Sequence, residues 1–296
     1  MHLKLGIVTP VLTMLPRAHA TWEETAGFGD VVTIARAADA LGYHHLTCSE
    51  HVAIPADVAA VRGGRYYDPL ATFGYLAART ERIRLATHVL VLGYHHPLEI
   101  AKRYGTLDAV SGGRLILGVG VGSLEPEFAL LGADFAERGA RADEALVALR
   151  DGFAQSQPEH NGTYFEYSGL VVDPCGVQPR VPLWIGGRTA RSLRRAVELA
   201  DGWAPFGLSL DEIVTMLERA RTTPAWESRA TPIDVLLQPE RAIDPTDDGE
   251  GTRAVLRALV AAGATGVNAR FVHHSLSHYL EQLDAFTAAV AADSRA

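Results

Sequence analysis

The sequence predicts an α/β fold, specifically a (β/α)8 TIM barrel, from its pattern of elements and its length. Short segments rich in β-branched and apolar residues alternate with longer helical patterns, and eight such units follow one another. Strict alternation implies a parallel sheet, and eight units imply that the sheet closes into a barrel. The 296 residues, of which 48% are hydrophobic, suffice for one large core. Since barrels of roughly 250 residues are usually single domains, we expect one domain over residues 1–296.

The predicted strands come first in each unit. They cover residues 3–9, 44–49, 83–92, 114–119, 181–185, a short strand from 201, 232–237 and 266–272. An open, doubly wound sheet is the alternative arrangement for such strands. The absence of a Gly-x-Gly-x-x-Gly pattern after the first strand argues against it.

The predicted helices follow the strands and carry end signals. They cover residues 30–41, 68–79, 97–110, 138–153, 189–199, 210–221, 252–262 and 276–291. Asp30 is a plausible N-cap of the first helix and Gly42 stands just past its end. Asp68-Pro69 gives the second helix a cap followed by proline.

Residues 154–180 interrupt the alternation between helix 4 and strand 5. This segment contains Asn161-Gly162 and the prolines Pro158, Pro174 and Pro179, which favour turns. We expect a loop or hairpin insertion there, not a linker between domains.

Charge and composition exclude several classes of function. The net charge is −8 without any basic tract, whereas nucleic-acid binding needs clustered Lys and Arg. No apolar run approaches the ~18 residues of a membrane span. The alternating residues 3–8 resemble a strand, not a signal peptide. Cys48 and Cys175 fit no metal spacing, and the expected location is the cytoplasm.

The candidate catalytic residues follow predicted strands, because barrel enzymes place their chemistry at the carboxyl ends of the strands. Glu50-His51 closes the second strand. His51 can exchange a proton near neutral pH, and Glu50 could orient it; anchoring of the loop is an equally good interpretation. His88, late in the third strand, is the second candidate, although its spacing alone favours simple strand packing.

Three pairs of adjacent histidines suggest metal binding at first sight. They are His44-His45, His95-His96 and His273-His274. Adjacent residues of an extended segment point in opposite directions. We therefore expect no metal site.

Two glycine-rich segments are candidates for cofactor binding. The run Gly118-Val119-Gly120-Val121-Gly122-Ser123 could let the backbone approach a flat ring or a phosphate, although strand ends also use glycine for tight packing. Gly186-Gly187-Arg188-Thr189 joins a strand to a helix. The free amides and the positive end of that helix would bind a phosphate.

The aromatic residues and one long loop complete the list of candidates. Trp22, Trp184 and Trp203 could stack on a cofactor, but strand position favours core packing for Trp184 and Trp203. The loop 52–67 is long enough for a lid. It contains Tyr66-Tyr67, and Arg62 and Arg65 within it, like Arg188 and Arg191 after the fifth strand, could meet an anionic tail.

Several strings together resemble the luciferase-like superfamily, in its branch that uses coenzyme F420. They are residues 96–102 (HPLEIAK), 106–115 (TLDAVSGGRL) with the glycines that follow, 135–144 (FAERGARADE), 182–187 (PLWIGG) and 200–203 (ADGW). The resemblance covers residues 3–290. The fold that it implies is a bacterial-luciferase-like barrel with an insertion between helix 4 and strand 5.

The resemblance also implies roles for individual residues. A bulge that backs the ring, often with a non-prolyl cis peptide, maps to His88-Val89, next to Thr87. The turn from Gly186 to Thr189 would hold the cofactor phosphate, and the segment Val121-Gly122-Ser123 would border the ring. His51 and Glu50 stand where sugar-phosphate dehydrogenases of the family carry a catalytic histidine and an acidic residue. A homodimer is implied as well.

The implied function is hydride transfer between coenzyme F420 and a small organic substrate, and the expected reaction is reduction of an activated C=C, C=N or C=O group. Ser123 replaces the glutamate of the sugar-phosphate dehydrogenases, which argues against glucose-6-phosphate oxidation. Three alternatives remain. They are an FMN-dependent monooxygenase, a non-catalytic flavin-binding barrel, and an unrelated phosphate-binding barrel such as an aldolase or isomerase. The only lysines, Lys4 and Lys102, give a Schiff-base aldolase little support.

Overall fold

The structure, a computed structural model that describes residues 3–16 and 19–293, forms a closed barrel of parallel strands. The barrel strands are β1 Lys4–Val8, β2 His45–Cys48, β3 in two pieces Arg84–Thr87 and Leu90–Val91, β4 Leu115–Gly120, β5 Leu183–Gly186, β6 Gly202–Ala204, β7 Asp234–Leu237 and β8 Gly266–Ala269. β8 pairs with β1, and β4 pairs with β5, so the order around the barrel is the order in the chain. The predicted barrel is confirmed, and the open sheet is wrong.

One helix follows each barrel strand and covers the outside. The helices are α1 Phe28–Ala40, α2 Pro69–Ala77, α3 Pro97–Val110, α4 Arg138–Ala154, α5 Ala190–Leu199, α6 Leu210–Arg221, α7 Gly249–Ala261 and α8 Leu276–Asp293. Asp68 caps α2 as predicted, since its carboxylate accepts from the Ala71 amide at 2.8 Å. Asp30 is not the N-cap of α1. Gly27 is, and the Asp30 side chain accepts from the Gly27 amide at 2.8 Å from within the first turn.

The tryptophans of β5 and β6 belong to the core. Trp184 and Trp203 are 2% and 0% exposed, so neither stacks on a ligand at the surface. The Trp203 indole N–H donates to Ser192 Oγ at 3.3 Å, which fastens β6 to the first turn of α5. The core interpretation of both residues is therefore correct. Trp22 donates its indole N–H to His273 Nδ1 at 2.9 Å.

The predicted insertion lies between α4 and β5. It contains a small antiparallel pair, His160–Asn161 with Glu166–Tyr167. The carboxylate of Glu144 on α4 accepts from the backbone amides of Thr163, Tyr164 and Phe165 at 2.8–3.1 Å. The half-buried carboxylate of Glu144 thus ties the hairpin to the barrel.

The segment after β2 is more ordered than the loop that the sequence suggests. A helix, Ala56–Arg62, and a short strand, Arg65–Tyr66, occupy it. The strand pairs antiparallel with Thr13–Met14 after β1. Gly63, between this helix and the short strand, has φ +84°. A Cβ there would lie 1.9 Å from the Met14 carbonyl oxygen. Only glycine fits that contact.

Within the described residues, no helix combines the length and apolar character that crossing a membrane requires. The same residues contain no cluster of three or more His, Cys, Asp or Glu side chains placed to hold a metal ion. His45, for example, is buried in the barrel and its Nε2 pairs with Asn268 Oδ1 at 2.5 Å.

Candidate active site

A histidine–glutamate pair stands beside the mouth of the barrel. His51, just after β2, directs Nδ1 to Glu127 Oε2 at 2.6 Å. Glu127 lies on a short helix, Glu125–Leu130, that follows β4. The His51 ring is one-quarter exposed and packs edge-on against Tyr66, with ring centroids 4.5 Å apart. Because Nδ1 is engaged, Nε2 is the nitrogen left to exchange a proton with a ligand.

Glu127 is buried and fully hydrogen-bonded. Besides His51, it accepts from Tyr94 Oη at 2.7 Å and from the backbone amides of Val52 and Ala53 at 2.6 and 3.1 Å. Burial by itself raises the pKa of the Glu127 carboxyl, but these hydrogen bonds outweigh it and lower the pKa below its ordinary value. The carboxylate therefore stays ionised at neutral pH and holds the His51 ring in one tautomer.

Glu50 does not orient His51. Its buried carboxylate accepts from the Val91 amide at 2.7 Å and pairs with His95 Nε2 at 2.7 Å. The backbone of Glu50 also donates to the Val89 carbonyl at 3.2 Å. Adjacent residues leave the strand end in opposite directions, so Glu50 braces the second piece of β3 while Glu127 takes the orienting position.

His88 lies at the break in β3, and both its backbone amide and its backbone carbonyl are hydrogen-bonded. The His88-Val89 peptide is cis, at the position that the resemblance implies. The His88 amide donates to the Cys48 carbonyl at 2.8 Å, and Ser49 Oγ donates to the His88 carbonyl at 2.7 Å. β2 therefore fixes the position of the bulge.

The His88 side chain is a weak candidate for a proton donor. Burial lowers the pKa of His88 to about 4, so the ring is neutral at neutral pH. Its Nε2 lies 2.9 Å from Nε2 of Gln238, which follows β7. An amide nitrogen donates, so the arrangement makes His88 Nε2 the acceptor. His88 thus presents a neutral, oriented ring to the mouth.

The glycines of β4 and β5 make room for the bulge. A Cβ at Gly120 would lie 2.8 Å from Val89 Cγ2, and one at Gly186 would lie 2.7 Å from Val89 Cγ1. A Cβ at Gly118 would lie 2.0 Å from the Thr87 carbonyl oxygen, and the Thr87 hydroxyl donates to the Gly118 carbonyl at 2.7 Å. The first glycines of the run therefore serve packing, and Thr87 faces β4. The result is a wall of backbone and Val89 at the mouth, free of long side chains.

The end of the glycine run packs against the helix that carries Glu127. Gly122 has φ +78°, and a Cβ there would lie 2.5 Å from Phe128 Cε2. Val121 is partly buried against the core, and Ser123 is exposed. Gly122 thus brings the short helix close enough for Glu127 to reach His51.

The turn between β5 and α5 has the form of an anion site. Gly186 and Gly187 are partly exposed, and Gly187 has φ +131°. Thr189 is the N-cap of α5, and its hydroxyl accepts from the Ser192 amide at 3.2 Å. The Thr189 amide in turn donates to Ser192 Oγ at 3.2 Å, so this capping box engages the amides of both Thr189 and Ser192. The amides of Ala190 and Arg191 are the donors left at the start of α5, since the earliest amides of a helix have no partner within it.

The four arginines expected to meet an anionic tail differ in availability. Arg188 and Arg191 are exposed, and no ion pair holds either of them within the described chain. Arg62 is likewise exposed, at the end of its helix. Arg65 is not available, because its guanidinium donates to the carbonyls of Glu23 and Glu24 at 2.9 and 3.3 Å. The cations available lie mainly beside the β5 turn.

A cavity of about 580 Å³ opens beside the bulge. Its lining mixes apolar groups such as Leu15 and Phe271 with polar side chains from the ends of β1, β2, β3, β7 and β8. These polar side chains include Thr9, Thr47, Ser49, His88, Gln238 and Arg270. The carboxyl ends of parallel strands converge at one end of a barrel, which places this cavity next to the wall formed by Val89.

Sequence reasoning missed two residues of this site. Gln238 directly follows β7, so the rule that chemistry follows strands would have found it. No pattern in the sequence pointed to Glu127. It stands among other acids near Pro126, and only the burial of its side chain distinguishes it from exposed neighbours such as Glu125.

The profile of the luciferase-like monooxygenase family matches residues 9–294. The chain belongs to this family. An uncharacterised protein of Mycobacterium tuberculosis is 28% identical to it over 225 residues, which cover 72% of this chain and 77% of that protein.

Solved structures of two redox enzymes share the fold. The oxygenating constituent of 3,6-diketocamphane monooxygenase from Pseudomonas putida, in complex with FMN, has a TM-score of 0.76 at 15% identity and covers 99% of both chains. An F420-dependent secondary alcohol dehydrogenase, in complex with an F420-acetone adduct, has a TM-score of 0.73 at 15% identity and covers 97% of this chain and 99% of that one. Proteins with either cofactor therefore have this architecture. By its match to the family profile, the chain is an oxidoreductase or monooxygenase of the luciferase-like family.

Proposed function

We propose that the chain is a coenzyme F420-dependent oxidoreductase that transfers a hydride between the deazaflavin and a small organic substrate. The observation that carries the proposal is the group of polar side chains in the cavity beside the bulge. A monooxygenase needs water excluded from its flavin, whereas hydroxyl, imidazole, amide and guanidinium groups line this cavity. These groups can hydrogen-bond a substrate that carries a C=O, C=N or activated C=C group.

The residues at the mouth fit a tricyclic ring. Val89 and the side-chain-free glycines Gly120 and Gly186 form a wall against which a flat ring can lie. The turn at Gly187 would receive the first phosphate at the start of α5. When bound, the deazaflavin supplies a two-electron hydride carrier that reacts poorly with oxygen. The protein then has to orient the substrate and provide a proton.

His51 is the proposed proton donor or acceptor. Glu127 fixes its tautomer through Nδ1 at 2.6 Å, so Nε2 can pass a proton to the substrate or take one from it. His88 would position the substrate without changing charge, because its pKa lies near 4. Glu50 would act only by holding the bulge, through the Val91 amide.

The cations beside the β5 turn favour the deazaflavin over FMN. Both cofactors have a ring, a ribityl chain and a first phosphate, so the turn cannot distinguish them. The deazaflavin adds a lactyl-oligoglutamate tail with several carboxylates. Arg188 and Arg191, exposed and unpaired among the residues that the structure describes, can attract that tail.

Fluorescence titration with both cofactors tests the proposal. We expect about tenfold tighter binding of the deazaflavin at low salt, because exposed ion pairs contribute ~0–1 kcal/mol each and two guanidinium groups are available. The margin should shrink at high salt. The double variant Arg188→Gln/Arg191→Gln should lose this margin while keeping its affinity for FMN. Tighter binding of FMN, with NADH-dependent oxygen consumption when a flavin reductase is added, would assign the chain to the monooxygenases.

The resemblance also leads us to propose a homodimer. Light scattering at micromolar concentration should then give about twice the 31.8 kDa mass of one chain. A monomer mass would contradict the proposal. We likewise propose that residues 1–296 form one domain, since Glu144 ties the 154–180 insertion to α4.

A further inference from the structure

Two polar groups on residues that line the mouth cavity have no hydrogen-bond partner among the described residues. Arg270 directly follows β8, and its Nε is buried without a hydrogen bond. The Tyr279 side chain, 1% exposed at the start of α8, has a buried hydroxyl that is also without one. Both residues line the cavity of about 580 Å³ beside the bulge.

Such groups are rare in folded proteins, because leaving a buried donor unsatisfied is unfavourable. The guanidinium of Arg270 also forms no ion pair with any residue of the described ranges. Arg270 Nε and Tyr279 Oη are two of nine such atoms among the described side chains, and both belong to residues that line one cavity, which points to an acceptor supplied by a ligand.

The acidic side chains of the cavity do not neutralise Arg270. Glu23 is buried and already accepts from the backbone amides of Val11 and Ala20 at 2.7 and 2.8 Å. Glu240 is exposed at the rim. Next to Glu240, Arg241 adds a second exposed guanidinium, which has no ion pair in the part of the chain that the structure describes. Both guanidinium groups of the lining are therefore free to pair with a ligand, while Glu23 and Glu240 leave the lining with no net formal charge.

We propose that this cavity binds an oxyanion of the substrate, a carboxylate or a phosphate. Arg270 is its main ligand and the Tyr279 hydroxyl is a second donor. Nε and one Nη of a guanidinium present two parallel N–H groups to an oxyanion, which uses the unpartnered Nε. The inference rests on the proposed function in one respect: it takes the occupant to be the substrate of the redox reaction.

The position of the cavity favours the substrate over the cofactor tail as the source of the anion. Arg270 follows β8, whereas the phosphate turn and the arginines Arg188 and Arg191 follow β5. Three steps around the barrel separate these two strands. His88 and Ser49, at the bulge, line the cavity with Arg270, so a bound anion would lie on the side of the ring site opposite the phosphate turn.

Calorimetric titration of the cofactor-free protein with succinate and with inorganic phosphate tests the anion site. We expect saturable binding of at least one of them, and a loss of about tenfold or more in Arg270→Gln, because a charge-assisted pair of hydrogen bonds disappears. Tyr279→Phe should weaken binding by about threefold, since one neutral donor is removed. Arg36→Gln removes an exposed arginine on α1 and should change nothing. Arg270→Lys keeps the charge but loses the two parallel N–H groups of the guanidinium, so this variant should also bind the anion several times more weakly.

The same variants distinguish the sources of the anion. Arg270→Gln should bind the full deazaflavin cofactor and its tail-free riboside as the wild type does. If Arg270→Gln weakens binding of the full cofactor but not of the riboside, the site belongs to the cofactor tail and the substrate assignment is wrong. Unchanged anion binding in both Arg270 variants, or no binding to the wild type, overturns the site itself. Anion binding that depends on Arg270 in a protein that binds FMN and no deazaflavin would refute only the proposed function.

Discussion

Replacing Gly187 by valine should lower the affinity for the cofactor by about 100-fold, or about 2.7 kcal/mol, while the barrel still folds. Gly187 has φ +131°, a backbone conformation that residues with a Cβ rarely adopt. A Cβ added at this position would lie 2.8 Å from the Cβ of Ser192. Ser192 caps the first turn of α5 together with Thr189. The substitution should therefore displace the backbone amides that would bind the phosphate. Fluorescence titration measures the affinity, and circular dichroism measures the fold.

A control separates backbone strain from loss of the site. Gly42 also has positive φ, +79°, but nothing lies within 4 Å of its added Cβ. It precedes β2 and stands at the end of the barrel away from the mouth. Gly42→Val should cost stability without changing cofactor affinity. If Gly187→Val binds the cofactor within about threefold of the wild type, the phosphate lies elsewhere. Since the deazaflavin and FMN share this phosphate, the experiment is valid for either cofactor.

His51→Ala should lower turnover by about 10²-fold or more, the usual contribution of a positioned acid or base, with cofactor affinity nearly unchanged. Turnover is followed as loss of the reduced-cofactor absorbance with whichever alkene, imine or ketone the wild type reduces in a screen. His160→Ala, in the 154–180 insertion, is the matched control and should keep full activity. Full activity in His51→Ala would leave His51 as an anchor of its loop.

Glu127→Gln tests how His51 is positioned. The amide keeps the shape of the carboxylate but not its charge, so the tautomer of His51 is less firmly fixed and turnover should fall by about tenfold. Hydrogen bonds keep the pKa of Glu127 below its ordinary value, so the carboxylate is ionised at neutral pH and loses its charge only at more acidic pH. The wild type should therefore lose activity on the acidic side as Glu127 protonates, and that Glu127-dependent loss should be absent in Glu127→Gln. A pH profile unaltered by the substitution would contradict the positioning role.

Local patterns in the sequence determined the fold. Strand and helix periodicities of 2 and about 3.6 residues, with turns and caps such as Asp68-Pro69, specify eight βα units, and that number closes the sheet. The turn at Gly186-Gly187 and the bulge at His88-Val89 could also be located, since each lies within one short string. The packing role of the β4 glycines, however, could be assigned only from the structure. Gly118 and Gly120 make room for Thr87 and Val89 on the neighbouring strand.

Only the tertiary structure decided which side chains meet. His51 and Glu127 are 76 positions apart, and closure of the barrel brings them within 2.6 Å. Glu50, adjacent to His51 in sequence, faces the other way and braces β3. The neutrality of His88 and the unpartnered donors of Arg270 and Tyr279 depend on burial. Burial depends on packing between distant segments, and no local period of the sequence encodes it.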